Sequence, residues 1–208
     1  MSPVVTPRRS AAAALIAVGY FVVTSLVLHL LRPDVDPLRQ SMSQYQRGRL
    51  GFVMVLGFLA VSLAAVALAA GLRAAQMPAG GSRAGTISLL LFAIVFVLVA
   101  AFPPDASGNP DTASGQVHNL GGLLGLISMT VAAVLFSLRF RRDERWRSVF
   151  GVSMAVAVLI PVSIVGLILS PSALEGLFDR LGPPTFISLW MLMVAWRLYA
   201  VSGDTASA

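Results

Sequence analysis

Two histidines and two aspartates are the side chains of this sequence best suited to bind a ligand, and all four lie at the ends of apolar segments. His29 comes near the end of the first apolar run, Asp105 and Asp111 follow the third, and His118 opens the fourth. Imidazole nitrogens and carboxylate oxygens bind metals and transfer protons near neutral pH. We therefore take these four residues as candidate ligand-binding residues.

A further group of polar residues precedes the second apolar run. Ser43, Tyr45 and Arg49 offer hydroxyl and guanidinium groups beside the same membrane surface. Leu38, Met42 and Tyr45 fall at helical spacing, which predicts a short interfacial or re-entrant helix. We expect His29, Asp105 and His118 to converge on one pocket beside this segment, because a histidine facing lipid is disfavoured and should turn inward.

Missing residue types exclude several chemistries. There is no cysteine, and all fifteen basic residues are arginine. This removes disulfides, thiol nucleophiles, thiolate metal sites, Schiff-base lysines and the lysine of a phosphate-binding loop. No catalytic triad order and no His-x-x-x-His spacing is present, so the sequence neither identifies an enzyme nor excludes one.

The elements that must position these residues are membrane-spanning helices. The chain is 57% hydrophobic and 12% charged, with a mean hydropathy of +0.83. Its apolar runs are long enough to cross roughly 30 Å of hydrocarbon, and backbone groups in lipid must bond within a helix. We predict an all-α polytopic bundle, a single domain over residues 1–208, with spans at about 11–31, 52–72, 85–102, 117–138, 149–169 and 185–201.

The arginines predict the orientation of the bundle. With the N-terminus inside, ten of the fifteen arginines lie in cytoplasmic segments, and six of the nine acidic residues lie outside. Short cytoplasmic loops collect positive charge, so both termini are expected in the cytoplasm. The four arginines of the first outer loop, Arg32, Arg39, Arg47 and Arg49, oppose this assignment.

One cytoplasmic loop carries the densest charge. We predict that it contacts anionic lipid and fixes orientation, rather than binding nucleic acid, because arginines beside a membrane are attracted to its surface. Trp146 is expected to anchor the loop at the interface, as are Trp190, Trp196 and Tyr199 in the last span. The lipid-contact residues are Arg139, Arg141, Arg142, Arg145, Trp146 and Arg147.

Turn and cap residues predict structure in the other outer connections. Ser172 and Glu175 have capping-box spacing ahead of an apolar periodicity, which predicts a short amphipathic helix with Glu175 as a cap. Asn109-Pro110 or Asp111 is expected to cap the fourth span. His118 then shares a helix face with Gly122 and Gly125, which favours close packing against protein.

The layout resembles the domain of unknown function 998 family, uncharacterised six-span bacterial membrane proteins. The resemblance lies in Ser43-Gln-Tyr45 through Arg49-Leu-Gly51, and in Phe102-Pro-Pro-Asp105 followed by Thr112, Gly115 and His118. It implies a fold and a bacterial plasma-membrane location. It implies no activity.

Two classes of function remain open. In the first, the polar residues cap helices and satisfy one another in a structural or accessory membrane protein, and capping by Asp105 and Asp111 accounts for these two residues without a ligand. Alternatively, His118 and Asp105 bind a lipid headgroup, a metal or a small ligand, with hydrolysis as one outcome. No cofactor is predicted, although zinc held by His29, His118 and an Asp, or haem b held by His29 and His118, stays an alternative.

Overall fold

Six helices of the structure are long and apolar enough to cross a membrane. A computed structural model describes residues 6–75, 81–106 and 111–202. The long helices are α1 Pro7–Leu31, α2 Gly51–Ala74, α3 Arg83–Ala101, α4 Ala113–Phe140, α6 Phe150–Ile168 and α8 Pro183–Val201. The short helices are α5 Glu144–Arg147, α7 Glu175–Leu181 and a 3-10 helix, Met42–Gln46. The prediction of an all-α polytopic bundle is confirmed.

Side-chain caps begin three of the long helices. The hydroxyls of Thr6, Ser82 and Thr112 each accept the amide of the residue three positions on, which satisfies one free donor of the first turn. Thr112 rather than Asp111 caps α4, so the prediction for Asp111 is wrong. The alternative cap, Asn109-Pro110, lies outside the described residues. Thr112 supplies the capping hydroxyl of α4 because Asp105 holds its side chain in place.

The six long helices form a closed ring. In spatial order α3 packs on α2, α2 on α1, α1 on α8, α8 on α6, α6 on α4, and α4 on α3. Alanines at the contact of α1 and α2, such as Ala14, Ala64 and Ala65, are fully buried and let the backbones approach closely. The ring thus encloses an interior that every helix can reach.

The two ends of the ring differ. We call "capped end" the end that carries residues 32–50, 102–106 and α7, whose segments bond to one another. There Gln44 Nε2 donates to the Asp105 carbonyl at 2.8 Å, and Asp179 accepts the Met42 amide at 2.7 Å. The "basic end" carries α5, the first turn of α1 and the last turn of α8, where Arg197 donates to the Arg145 carbonyl.

The interior is filled at the basic end. Trp190 of α8 is fully buried and donates to Ser153 of α6 at 3.1 Å. The Ser153 hydroxyl lies 2.5 Å from the hydroxyl of Ser137 on α4. The Trp190 indole and the two serine hydroxyls thus join α8, α6 and α4. It also corrects the interfacial role expected of Trp190, because a buried indole needs a hydrogen-bond partner and finds one in the core.

One helix of the ring contains an internal proline. Pro161 lies within α6, between the buried residue Ile160 and the turns that follow toward the capped end. A proline has no N–H, so the carbonyl of Ala157 loses its helical donor at this turn. The helix continues nonetheless to Ile168.

Candidate functional site

A cavity of about 410 Å³ lies inside the ring, toward the capped end. Each of the six long helices contributes to its wall, through Phe21, Phe58, Phe92, His118, Ile164 and Ile187. Residues 39–44 and α7 line it on the side of the capped end. Cavities of this size, apolar with a few polar groups, are typical of sites for small ligands.

Polarity is divided within the cavity. Its polar residues belong to the capping segments and to the first turns of α4, and they are Arg39, Gln40, Ser41, Ser43, Gln44, His118, Asn119, Glu175 and Asp179. Deeper turns of the helices contribute mainly aromatic and aliphatic side chains, among them Phe92, Phe96 and Leu126. The cavity therefore has a polar mouth and an apolar body.

His118 is the buried ionisable residue of the mouth. It is 5% exposed, and its Nδ1 lies 2.8 Å from the Phe102 carbonyl oxygen. Since a carbonyl oxygen can only accept, Nδ1 carries the proton, and in the neutral ring Nε2 is then an acceptor. The ring of Phe58 packs edge-on against it at 6.4 Å. Thr112 and the first turn of α4 hold this imidazole at the cavity wall.

Glycines beside His118 serve different purposes. A Cβ on Gly125 would lie 2.6 Å from the Phe96 ring, so α4 approaches α3 closely at this position. A Cβ on Gly122, by contrast, would meet nothing within 4 Å, and Gly122 lines the cavity. Gly122 therefore leaves space open beside His118, whereas the sequence predicted that it packs against protein.

His29 lies in a different network. Its Nδ1 donates to the Ser25 carbonyl at 2.6 Å, and its Nε2 accepts from Nε of Arg180 at 2.8 Å. The ring is therefore neutral with both nitrogens in use. Tyr45, which is fully buried, packs against it with ring centroids 5.3 Å apart. His29 could bind a metal or haem only by giving up Arg180.

Asp105 supports the start of α4. Its carboxylate accepts the Thr112 amide at 2.8 Å and the Thr112 hydroxyl at 2.7 Å. These hydrogen bonds, with the backbone of Asp111 as a smaller contributor, lower the pKa of the Asp105 carboxyl below its usual value. Asp105 thus orients the threonine that caps the helix carrying His118.

The expected pocket shared by His29, Asp105 and His118 is wrong. Of these three, only His118 lines the cavity, because His29 and Asp105 direct their polar atoms to Arg180 and Thr112. Ser43 also lines the cavity, while Tyr45 lies with His29, and Arg49 and Asp111 are exposed. Within the described residues, no group of three His, Cys, Asp or Glu could hold a metal ion.

Arg180 is a central residue of the capped end that sequence reasoning missed. Beyond His29, it donates to the carbonyls of Gly176 at 2.9 Å, Gln40 at 2.5 Å and Pro37 at 3.1 Å. It therefore ties α7 and residues 37–40 to the end of α1. No local pattern predicts this role, since the carbonyls of Pro37 and Gln40 belong to a distant segment.

Arg32 ties residues 45–48 to the end of α1. It is 7% exposed and donates to the carbonyls of Tyr45 at 3.2 Å and Arg47 at 2.5 Å. Its other nitrogens bond the Asp34 carboxylate at 2.7 and 2.8 Å, and this bond lowers the pKa of Asp34. Gly48, with φ of 76°, presents its backbone to the guanidinium. Arg32, one of the four arginines that opposed the predicted orientation, thus has a structural role.

The helix before α8 differs from its predicted form. Leu174, not Ser172, is the N-cap of α7, and no side chain makes a cap hydrogen bond there. Glu175 is the first residue of the helix and lines the cavity. The capping box is absent because Gly176 packs directly on the backbone of residues 37–40, which sets where the helix begins.

The basic loop also differs in one residue. Trp146 is fully buried and stacks on Phe140 with ring centroids 4.4 Å apart, so it cannot act as a lipid anchor. It packs inward because Asp143, itself 3% exposed, accepts the Arg145 amide and turns the chain. Among the other predicted lipid contacts, Arg141, Arg142 and Arg147 are exposed, and Arg139 and Arg145 are half-buried.

The family model described as protein of unknown function (DUF998) matches residues 15–197, most of the chain. The chain is therefore a member of this family, and its six apolar helices indicate a multi-pass membrane protein. Comparisons with curated proteins and with solved structures find no match.

Proposed function

We propose that this membrane protein binds a small amphiphile, a polar head joined to an apolar chain, in the cavity inside its helix ring. The observation that carries the proposal is the division of the cavity into a polar mouth and an apolar body, with walls from all six long helices. An amphiphile matches both parts. Its chain would leave lipid for a comparable apolar surface, so the polar contacts at the mouth supply the selectivity.

Two exposed residues of the cavity wall indicate a route from the membrane for such a ligand. Leu123 of α4 and Ile168 of α6 both line the cavity, and they are 47% and 71% exposed. The two helices are joined through Ser137 and Ser153 near the basic end. Toward the capped end, residues of both α4 and α6 line the cavity. We infer that the ligand enters between α4 and α6 without crossing water.

The proposed orientation places the basic end in the cytoplasm of a bacterial cell and the mouth of the cavity outside. It is supported by the ten arginines that fall in segments of the basic end. The chain has no cysteine, so single cysteines can be introduced and labelled cleanly. We expect an impermeant reagent on intact cells to label position 108 and not position 80, and the reverse pattern would invert the orientation.

Filling the cavity tests the proposed function. Gly122→Leu places a side chain into the open space beside His118 and should remove most binding of radiolabelled dodecanol to the protein in nanodiscs. Gly19→Leu is the matched control, because a Cβ at Gly19 also meets nothing within 4 Å and Gly19 does not line the cavity. Both changes replace a helix glycine by a better helix former, so neither should lower stability.

The outcomes separate clearly. Loss of dodecanol binding in Gly122→Leu, with binding kept in Gly19→Leu and both thermal midpoints at or above that of the wild type, supports the cavity as the site. Equal binding in the two variants contradicts it. Equal loss in both would place dodecanol on the lipid-facing surface, which also contradicts the proposal.

A second candidate is a structural or accessory role. It is favoured by α6, of which 17% is buried against 39–56% for the other five spans. A partner helix could cover the exposed face that holds Val158, Val162 and Val165. This role predicts a second membrane protein that co-purifies in mild detergent and is lost when these valines are replaced by alanine, with dodecanol binding unchanged.

A further inference from the structure

Two carboxylates stand at the mouth of the cavity. Glu175 and Asp179 lie four residues apart on α7, so they share one face of the helix, and both line the cavity. Asp179 uses Oδ2 to accept the Met42 amide at 2.7 Å. A carboxylate has a second oxygen, and Glu175 is exposed. This side of the mouth presents hydrogen-bond acceptors.

The neutral residues of the mouth also present acceptors. In the neutral ring of His118, Nε2 is an acceptor because Nδ1 donates to Phe102. The amide nitrogen of Gln44 donates to the Asp105 carbonyl, which leaves the side-chain oxygen of this buried residue as an acceptor. Both side chains line the cavity. A headgroup that donates hydrogen bonds would therefore be matched by several partners.

Positive charge at the mouth is weaker. Arg39 lines the cavity, but its side chain is 71% exposed and lies 3.8 Å from the carboxylate of Asp36. Solvent and this carboxylate both screen it. Arg180, a half-buried cation whose charge acts on Asp179, is not among the cavity-lining residues and donates to His29 and three carbonyls. Of the charged side chains that line the cavity, two are acidic and one, Arg39, is a screened guanidinium, so an anionic head is disfavoured.

We propose that the ligand is a single-chain amphiphile with a positively charged primary amine as its head, taken from the membrane, and that Glu175 is the residue that selects the amine. The proposal rests on the proposed function of the cavity. The ammonium group donates three hydrogen bonds and carries the charge that the two carboxylates favour. The chain occupies the apolar body of the cavity.

Three probes with the same chain test this selectivity. Dodecylamine, dodecanol and dodecanoate are compared by their ability to displace radiolabelled dodecanol from the protein in nanodiscs at neutral pH. We expect the amine to displace it at roughly one tenth of the dodecanoate concentration, because a charge-assisted hydrogen bond to Glu175 favours the amine and solvent screens part of that gain. Glu175→Gln should remove most of this difference while leaving the displacement by dodecanol unchanged.

Glu144→Gln is the matched control. Glu144 is also exposed and also begins a short helix, α5, but at the basic end. The control keeps the net charge of the two variants equal, so any change in how the probes partition into the nanodisc is shared. Wild-type selectivity should persist in Glu144→Gln.

The possible results distinguish the two proposals. If dodecanol binds in a Gly122-dependent manner but dodecanoate displaces it as well as the amine does, the cavity proposal stands and the amine proposal is overturned. Unchanged amine preference in Glu175→Gln overturns the role of Glu175. If no probe depends on Gly122, the proposed function itself has failed.

Discussion

The two ends of the helix ring use arginine and aromatic residues in different ways. At the capped end, Arg32 and Arg180 are tied to backbone carbonyls of loops that would otherwise lack partners. At the basic end, Arg141 and Arg147 are exposed, and the interior is held by Trp146 and Trp190. Polar contacts therefore stabilise the end that contains the cavity, whereas apolar packing stabilises the other.

This difference explains why the capped end can hold a cavity. A dry interior is stabilised by close packing, and an empty space there costs free energy in lost contacts. A network of charged donors on backbone carbonyls does not require a filled interior beneath it. The capped end can thus stay folded around an open space that the basic end could not tolerate.

The largest expected effect comes from truncating the packed end. Trp146→Ala removes a fully buried indole stacked on Phe140, and we expect the free energy of unfolding to fall by about 3–5 kcal/mol. The measurement is the denaturation midpoint of the purified protein in detergent. Dodecanol binding to the surviving folded fraction should stay intact, because Trp146 lies at the end away from the cavity. A loss below about 1 kcal/mol would mean that Trp146 faces lipid after all.

A smaller effect is expected from the capped end. Arg32→Ala leaves the carbonyls of Tyr45 and Arg47 without their donor and should cost about 2–3 kcal/mol, since Asp34 beside it is solvent-exposed and tolerates the loss. Unlike Trp146→Ala, it should also weaken dodecanol binding, because residues 39–44 cover the cavity. Arg141→Ala, at an exposed site, serves as the control and should stay within about 0.5 kcal/mol. If Arg32→Ala and Arg141→Ala lowered the free energy of unfolding equally, the difference between the two ends would be contradicted.

The sequence was sufficient to predict the architecture because hydrophobicity and length decide which segments cross a membrane. It was also sufficient to single out His118, since a histidine near the hydrocarbon edge must turn inward. The partners of Arg32 and Arg180 could not be predicted, because backbone carbonyls exist at every residue and only the fold selects among them. Glu175 was interpreted as a cap for a related reason: its spacing from Ser172 was correct, but the contact of Gly176 with residues 37–40 moved the helix start.

The tryptophans show a second limit of sequence reasoning. Amphipathic aromatic residues near the end of a span are common at membrane interfaces, and Trp196, 65% exposed, is compatible with that location. Trp146 and Trp190, by contrast, are fully buried. What separates them is the side of the helix or loop that faces the ring, and this depends on packing partners far away in the chain.

Pro161 gives α6 an uneven stiffness along its length. The residues before it, Ser153, Ala157 and Ile160, are buried in the filled half, and those after it, Ile164, Leu167 and Ile168, line the cavity. The turn that lacks a backbone hydrogen bond therefore coincides with the change from filled to hollow interior. The helix can therefore bend at this turn. Its first half is held through Ser153, and its second half borders the proposed entry route beside α4. Parting the two helices for a ligand then requires bending one weakened turn, and the packed core can stay in place.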